Sequence, residues 1–96
     1  MDAGIGGAIA EVVGRKLKEL SKFHQVLCIT HLPQIAAFAD KHFVVEKEER
    51  RGDTVSRVTE LDKSSRVDEL ARMMGGADIT EKIRRAAREL LDAARV

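Results

Sequence analysis

The chain reads as an α/β protein, a partial sheet with one β-hairpin and about four helices. Three observations predict this. An unbroken apolar run, Val26-Leu27-Cys28-Ile29, leads into Thr30-His31-Leu32-Pro33-Gln34. Two later stretches of strand-forming residues flank an Arg51-Gly52-Asp53 turn. The segments at either end carry apolar residues at the three-to-four-residue spacing of a helix face.

The opening, Asp2-Ala3-Gly4-Ile5-Gly6-Gly7, predicts a tight turn leading into a helix, whose first free N–H groups offer a place for an anion. From about Ala8 to Phe23, Ile9, Val12, Val13, Leu17 and Leu20 recur at helical spacing with charges opposite, so this stretch predicts an amphipathic helix. Val26–Thr30 predicts a strand, and its continuous apolar character suits one covered on both faces, as in a parallel sheet. His31 stands at the exit of that strand, where open α/β sheets place their ligand chemistry. Pro33 then marks a helix start, with the helix running to about Ala39.

Phe43–Lys47 and the alternating Thr54–Leu61 predict two antiparallel strands joined by the Arg51-Gly52-Asp53 turn. Ser65, with Asp68 three residues on, predicts the cap of a helix carrying Val67, Leu70, Ala71 and Met74 on one face. Gly75-Gly76 ends it, because glycine accepts the left-handed conformation of a helix C-terminus. Asp78 and Glu81 have capping-box spacing for a last helix with the stripe Ile83, Ala87, Leu90, Leu91 and Ala94.

Ninety-six residues suit one small domain, 1–96, and 44% hydrophobic residues suit a globular one. All three aromatic residues are Phe, so the core is expected to rest on Leu, Ile, Val and Ala. No apolar run approaches the ~20 residues of a membrane span, and the N-terminus lacks a signal-peptide layout. Cys28, the single cysteine, reads as a buried hydrophobe in a reducing, cytoplasmic setting. The net charge is +1, and the basic clusters (Arg15 to Lys22, Lys47 to Arg51, Arg84 to Arg88) interleave with acids. They read as solvated faces and give no independent support for nucleic-acid binding.

Little nucleotide machinery is visible. The pattern Gly-x-x-x-x-Gly-Lys-Ser/Thr is absent, and no strand precedes the opening glycines as a dinucleotide fingerprint requires. His24 and His42 lack a Cys or carboxylate at ligand spacing and read as surface or packing residues. No metal cluster, Ser-His-Asp arrangement or paired-carboxylate site is apparent. His31 on its strand-to-helix turn is the one candidate catalytic residue.

Taken in order, the opening Asp2–Gly7, the Thr30–Gln34 turn and Leu70-Ala71-Arg72-Met73-Met74-Gly75-Gly76 resemble the C-terminal end of the RecN family. These are bacterial DNA-repair ATPases of the SMC-like branch of the ABC ATPases. The resemblance runs from Asp2 to about Leu91. It implies the C-terminal portion of an ABC/SMC-type P-loop ATPase head. Asp2, Ala3, Gly4, Ile5, Gly6 and Gly7 match the D-loop, which lies at the ATP-bridged dimer contact. His31 matches the switch histidine, which hydrogen-bonds the γ-phosphate and orders the attacking water. Gly6 stands where many ABC proteins carry a D-loop aspartate. The Walker B Asp-Glu pair would stand just ahead of Asp2, so Asp2 is not the metal ligand.

The resemblance also implies ATP and Mg²⁺ in the complete parent, with no tight binding of either by this chain alone. It implies as partners the remainder of the head, a second copy through ATP, and DNA, with no membrane. In that fold a further strand lies between those matching Val26–Thr30 and Phe43–Lys47, and the chain lacks it. The chain is thus expected to be the end of a domain, inactive as an ATPase alone. A different class also accommodates the residues, an independent non-enzymatic interaction module with exposed helix faces.

Overall fold

Helix α1 (Ala3–Leu20) leads through an extended segment to the single-turn helix α2 (Pro33–Ala36), then to strands β1 (Phe43–Arg50) and β2 (Asp53–Glu60) and helices α3 (Lys63–Gly75) and α4 (Glu81–Ala93). This is a computed structural model that describes residues 3–95.

The hairpin forms where its local sequence demands it. β1 and β2 pair antiparallel from Phe43↔Glu60 to Arg50↔Asp53. Arg51 and Gly52 both adopt positive φ, 51° and 83°. Two successive left-handed residues make the type I′ turn, whose twist matches that of the strands it joins. The Leu61 N–H donates to the His42 carbonyl oxygen at 2.9 Å and closes the base of the hairpin.

α3 and α4 pack together and carry most of the core. Val67, Leu70 and Ala71 from α3 meet Ala87 and Leu91 from α4, with Ala94 just beyond it. Ala36 and Ala37, at the end of α2, join them, and Leu70 is fully buried. Met74, predicted on the packed face, is exposed, and Met73 packs against the core instead. The α3 C-terminus ends at Gly76, with φ 72° as expected of glycine there. A β-carbon on Gly75 would fall 2.5 Å from Ile83 Cδ1, so glycine lets α4 approach.

Both caps differ from the predicted ones. α3 starts three residues early, so Asp62 is its cap and accepts from the Ser65 N–H at 2.8 Å. Thr80, not Asp78, caps α4 and accepts from the Ile83 N–H at 3.2 Å.

Four expectations in the first third of the chain are overturned. The opening glycines form no lead-in turn, since Ala3 to Gly7 are the first turns of α1. Gly7, Ala10 and Gly14 lie on the α1 face turned toward α2 or buried, and this small-residue periodicity carries the helix back. The predicted apolar stripe faces outward, with Ile9 and Val12 more than half exposed and Val13 and Leu20 exposed as well. Val26–Thr30 forms no strand; it is extended chain outside the ladder, with Leu27 88% and Ile29 96% exposed. Cys28 is likewise exposed rather than buried. The last three share one cause. A strand is defined by its pairing partners and an apolar stripe by its cover, and the described residues supply neither.

Candidate functional site

The site is the turn carrying His31. Thr30 Oγ1 accepts from the Leu32 N–H at 3.0 Å, a side-chain-closed turn with His31 at its centre. Leu32 is the N-cap of α2 with an extended backbone (φ −100°, ψ 118°), and its carbonyl oxygen accepts from Ile35 and Ala36, both at 3.1 Å. Pro33 fills the first helical position, where no N–H is needed. The imidazole of His31 is left exposed on a turn fixed from both sides.

α2 is four residues long, too short to hold itself, since one helical turn does not repay its nucleation cost. Its neighbours hold it. From α1, Gly14 admits Phe38, whose ring also lies under the Arg15 guanidinium at 5.7 Å. Lys18 pairs with Asp40 just past the helix. From α3, Arg66 Nη2 donates to the carbonyl oxygens of Ala39 at 2.9 Å and Ala36 at 3.4 Å. The structure thus brings the His31 turn, α1 and the start of α3 into one unit.

It also brings together the two segments singled out in the sequence. Gln34 Nε2 lies 3.6 Å from where a β-carbon on Gly7 would stand, so the glycine-rich start of α1 abuts the turn three residues after His31. Gly6 and Gly7 are half-buried there. Ala3, Gly4 and Ile5 belong to the same helix, and Asp2 lies outside the described residues. Of the other histidines, His24 is exposed. His42 is half-buried at the base of the hairpin with an unpartnered Nδ1. Burial, and then the nearby Arg66 charge, hold its pKa below the usual histidine value, while Glu69 acts in the opposite sense.

Chemically, the turn offers one exposed imidazole, able to donate or accept a proton or hydrogen bond, beside a close helix–helix contact. Among the described residues no three His, Cys, Asp or Glu side chains gather to hold a metal ion, and no helix is long and apolar enough to cross a membrane. Sequence reasoning missed Thr30, Gln34 and Arg66. The Thr30–Leu32 turn had a local signal, a hydroxyl residue two ahead of a helix cap, whereas Arg66 reaches the end of α2 and the residues just past it from 30 and 27 residues away and leaves no local trace.

No protein-family model matches the chain. It is 50% identical over 91 residues to the DNA repair protein RecN of Xylella fastidiosa (strain Temecula1), covering 95% of this chain and 16% of that protein. Against RecN of Bacillus subtilis it is 44% identical over 94 residues, 98% of this chain and 16% of the relative. Against RecN of Vibrio cholerae it is 45% identical over 94 residues, 98% of this chain and 17% of the relative. The chain therefore spans only a small part of the length of these curated relatives.

Proposed function

The chain is homologous to the C-terminal part of the DNA repair protein RecN, and from that premise we propose that it completes an ABC-type ATPase head. In this role it presents His31 to the terminal phosphate of ATP and lends the Asp2–Gly7 segment to the contact between two heads. The observation that carries the reading is the extended, apolar and uncovered run ahead of His31. Residues 26–30 have the composition of a doubly covered parallel strand, lie outside the hairpin ladder, and lead to an exposed imidazole on a fixed turn. The outward stripe of Ile9, Val12, Val13 and Leu20 on α1 lies uncovered as well. Apolar surface of this extent on a small chain is a contact surface, here for the remaining strands and helices of the head.

Mg²⁺ and ATP belong to the complete head, where ATP supplies the phosphoryl group transferred to water. This chain fits only one edge of such a site. It offers a donor for a terminal phosphate oxygen, but its sequence has no lysine-bearing glycine loop to cradle phosphates, and among the described residues no cluster of carboxylates gathers for the metal. His31 would orient the attacking water and stabilise charge developing on the phosphate oxygens, while Thr30 and Pro33 keep its turn in one conformation. On this reading the chain needs the remainder of the head for turnover. The head would dimerise through ATP, and the parent would work in the cytoplasm on broken DNA.

Reconstitution tests this reading. In RecN of Bacillus subtilis, the segment matching this chain is replaced by it, and ATP turnover is measured with and without His31→Ala. Restored turnover that depends on His31 is the expected result. A fusion that folds and binds ATP, yet turns over at the same rate with either residue, rejects the role of His31.

A further inference from the structure

Arg66 is the side chain through which α3 grips the helix behind His31. Its Nη2 donates to the carbonyl oxygen of Ala39, three residues past the end of α2, at 2.9 Å and to that of Ala36, the last residue of α2, at 3.4 Å. The Ala36 carbonyl oxygen also accepts from the Ala39 N–H at 3.2 Å, so Arg66 ties the turn that closes α2 to α3. Asp40, the residue after Ala39, is held from the opposite side by Lys18 of α1. At its other end α2 begins at Pro33, two residues from His31. A one-turn helix anchored this way moves as a rigid body, so displacement of its C-terminal end shifts the turn at its start.

We propose that Arg66 is a positioning residue for His31. By tying the carbonyls of Ala36 and Ala39 to α3, it sets where α2 sits and so where the imidazole stands. Both bonds come from Nη2 of a planar guanidinium, whose N–H groups are held in a fixed plane, whereas an ammonium is a flexible point charge. Arg66 is half-buried beside His42 and Asp40, within the contact between the C-terminal helices and the histidine turn. The C-terminal helices thereby act on the site without touching substrate.

This inference rests on the reading of His31 as the phosphate-contacting histidine, and the test separates the two. In the complete ATPase carrying this chain, steady-state ATP turnover is measured for Arg66→Met, Arg66→Lys, His31→Ala and the Arg66→Met/His31→Ala pair. Amide hydrogen exchange is followed at Ile35–Ala37. Arg66→Met is expected to lower kcat by roughly ten- to a hundred-fold, the scale on which a small misplacement of a reacting group acts. KM for ATP stays near its original value, and exchange at Ile35–Ala37 quickens while exchange in the hairpin does not. Arg66→Lys recovers part of kcat. In the His31→Ala background Arg66→Met costs nothing more, because its effect passes through the imidazole.

An equal loss in both backgrounds overturns the inference, since a merely structural arginine acts whatever residue stands at position 31. Unchanged exchange at Ile35–Ala37 overturns it too, as does failure of both Arg66 variants to fold. If His31→Ala turns over at the original rate, the reading of His31 itself falls, and the inference with it. If His31→Ala is slow and Arg66→Met is not, only the inference falls.

Discussion

Phe38 lies so close to the backbone of Gly14 that a β-carbon there would stand 2.5 Å from its Cδ2 atom and 3.1 Å from the Gln34 carbonyl oxygen. Two effects of Gly14→Ala therefore oppose each other. Alanine favours the helical backbone by about 1 kcal/mol over glycine. The added methyl, however, meets an aromatic ring and a carbonyl that belong to the tightest contact between α1 and the histidine turn. Overpacking of this kind costs about 1–3 kcal/mol, so the clash is expected to win. Gly7→Ala is the control, since its β-carbon would meet Gln34 Nε2 at an ordinary 3.6 Å. Urea unfolding should show Gly14→Ala less stable and Gly7→Ala unchanged or more stable.

Leu70→Ala should be the most damaging aliphatic truncation in the core. Leu70 is fully buried and is the largest such side chain among the described residues, in a core otherwise rich in alanine. Small neighbours with short side chains cannot lean in to fill the space. The loss should fall in the range of about 2–5 kcal/mol typical of such cavities. Denaturant titration reads it directly, and a loss below the Gly14→Ala value would show that α3 and α4 close over the gap.

The two halves of the chain differ in how far their sequence could be read, and the difference is physical. In the hairpin the turn, the register and the alternation all lie within eighteen residues, from Phe43 to Glu60, so local chemistry decides. The α3–α4 pair is similar, because Gly75 and Gly76 mark its bend and the stripes of Leu70 and Leu91 face each other. Only the caps slipped, because Ser65 and Asp78 stand within a few residues of equally competent Asp62 and Thr80. The segment Val26–Thr30 is the opposite case. Its composition correctly signals an extended, apolar chain, but a strand exists only through neighbours, and these residues have none here. The stripe on α1 misled for the same reason. The face that meets the rest of this chain is made of Gly7, Ala10 and Gly14, which hydropathy barely registers. At the candidate site, the exposed turn carrying His31 was legible from Pro33, whereas the reach of Arg66 to that turn's helix appears only once the fold has joined α3 to α2.

Acidification should weaken the hairpin base through His42. Burial and the Arg66 charge lower its folded pKa below 6.5, so the folded state holds the neutral ring and the unfolded state takes up the proton first. The unfolded chain therefore binds more protons across that interval. The associated stability is complete above 6.5 and is lost as pH falls from there through the lowered folded value. Carboxylates also titrate toward acid, so the comparison must be with His42→Gln. Between about pH 7.5 and about pH 5, the urea midpoint should fall less in the variant than in the original chain. Equal falls would show that His42 carries no part of the pH dependence.

The uncovered stripe of α1 should make the isolated chain self-associate. Ile9 and Val12 are both more than half exposed, with Val13 and Leu20 beside them, and Leu27 and Ile29 project from the extended segment. Such surface is removed from water by whatever second surface is available. Sedimentation should show concentration-dependent oligomers that the pair Ile9→Glu and Val12→Lys reduces. A strict monomer at high concentration would show that these residues need no cover, and would favour the independent interaction module over the completed head.

His31→Ala in the complete ATPase is the most direct test of the site. The imidazole is exposed, and the turn is held by Thr30, Pro33 and the contacts of α2, so its removal should leave folding nearly untouched. In the proposed head, phosphate binding would rest mainly on a glycine loop and lysine supplied by the remaining residues, so ATP affinity should change little. Turnover is different, because a donor aimed at charge that develops only in the transition state acts on kcat rather than on ground-state binding. Losing one such donor is expected to slow hydrolysis by roughly ten- to a thousand-fold. His31→Gln should fall between the two, since its amide can donate a hydrogen bond from a similar distance but cannot accept and release a proton. Single-turnover measurements separate the chemical step from product release, and the loss should appear in the chemical step. If it appears instead in nucleotide affinity, the histidine is a binding residue. If the variant unfolds, the residue belongs to the packing of the turn and the phosphate contact must be sought elsewhere.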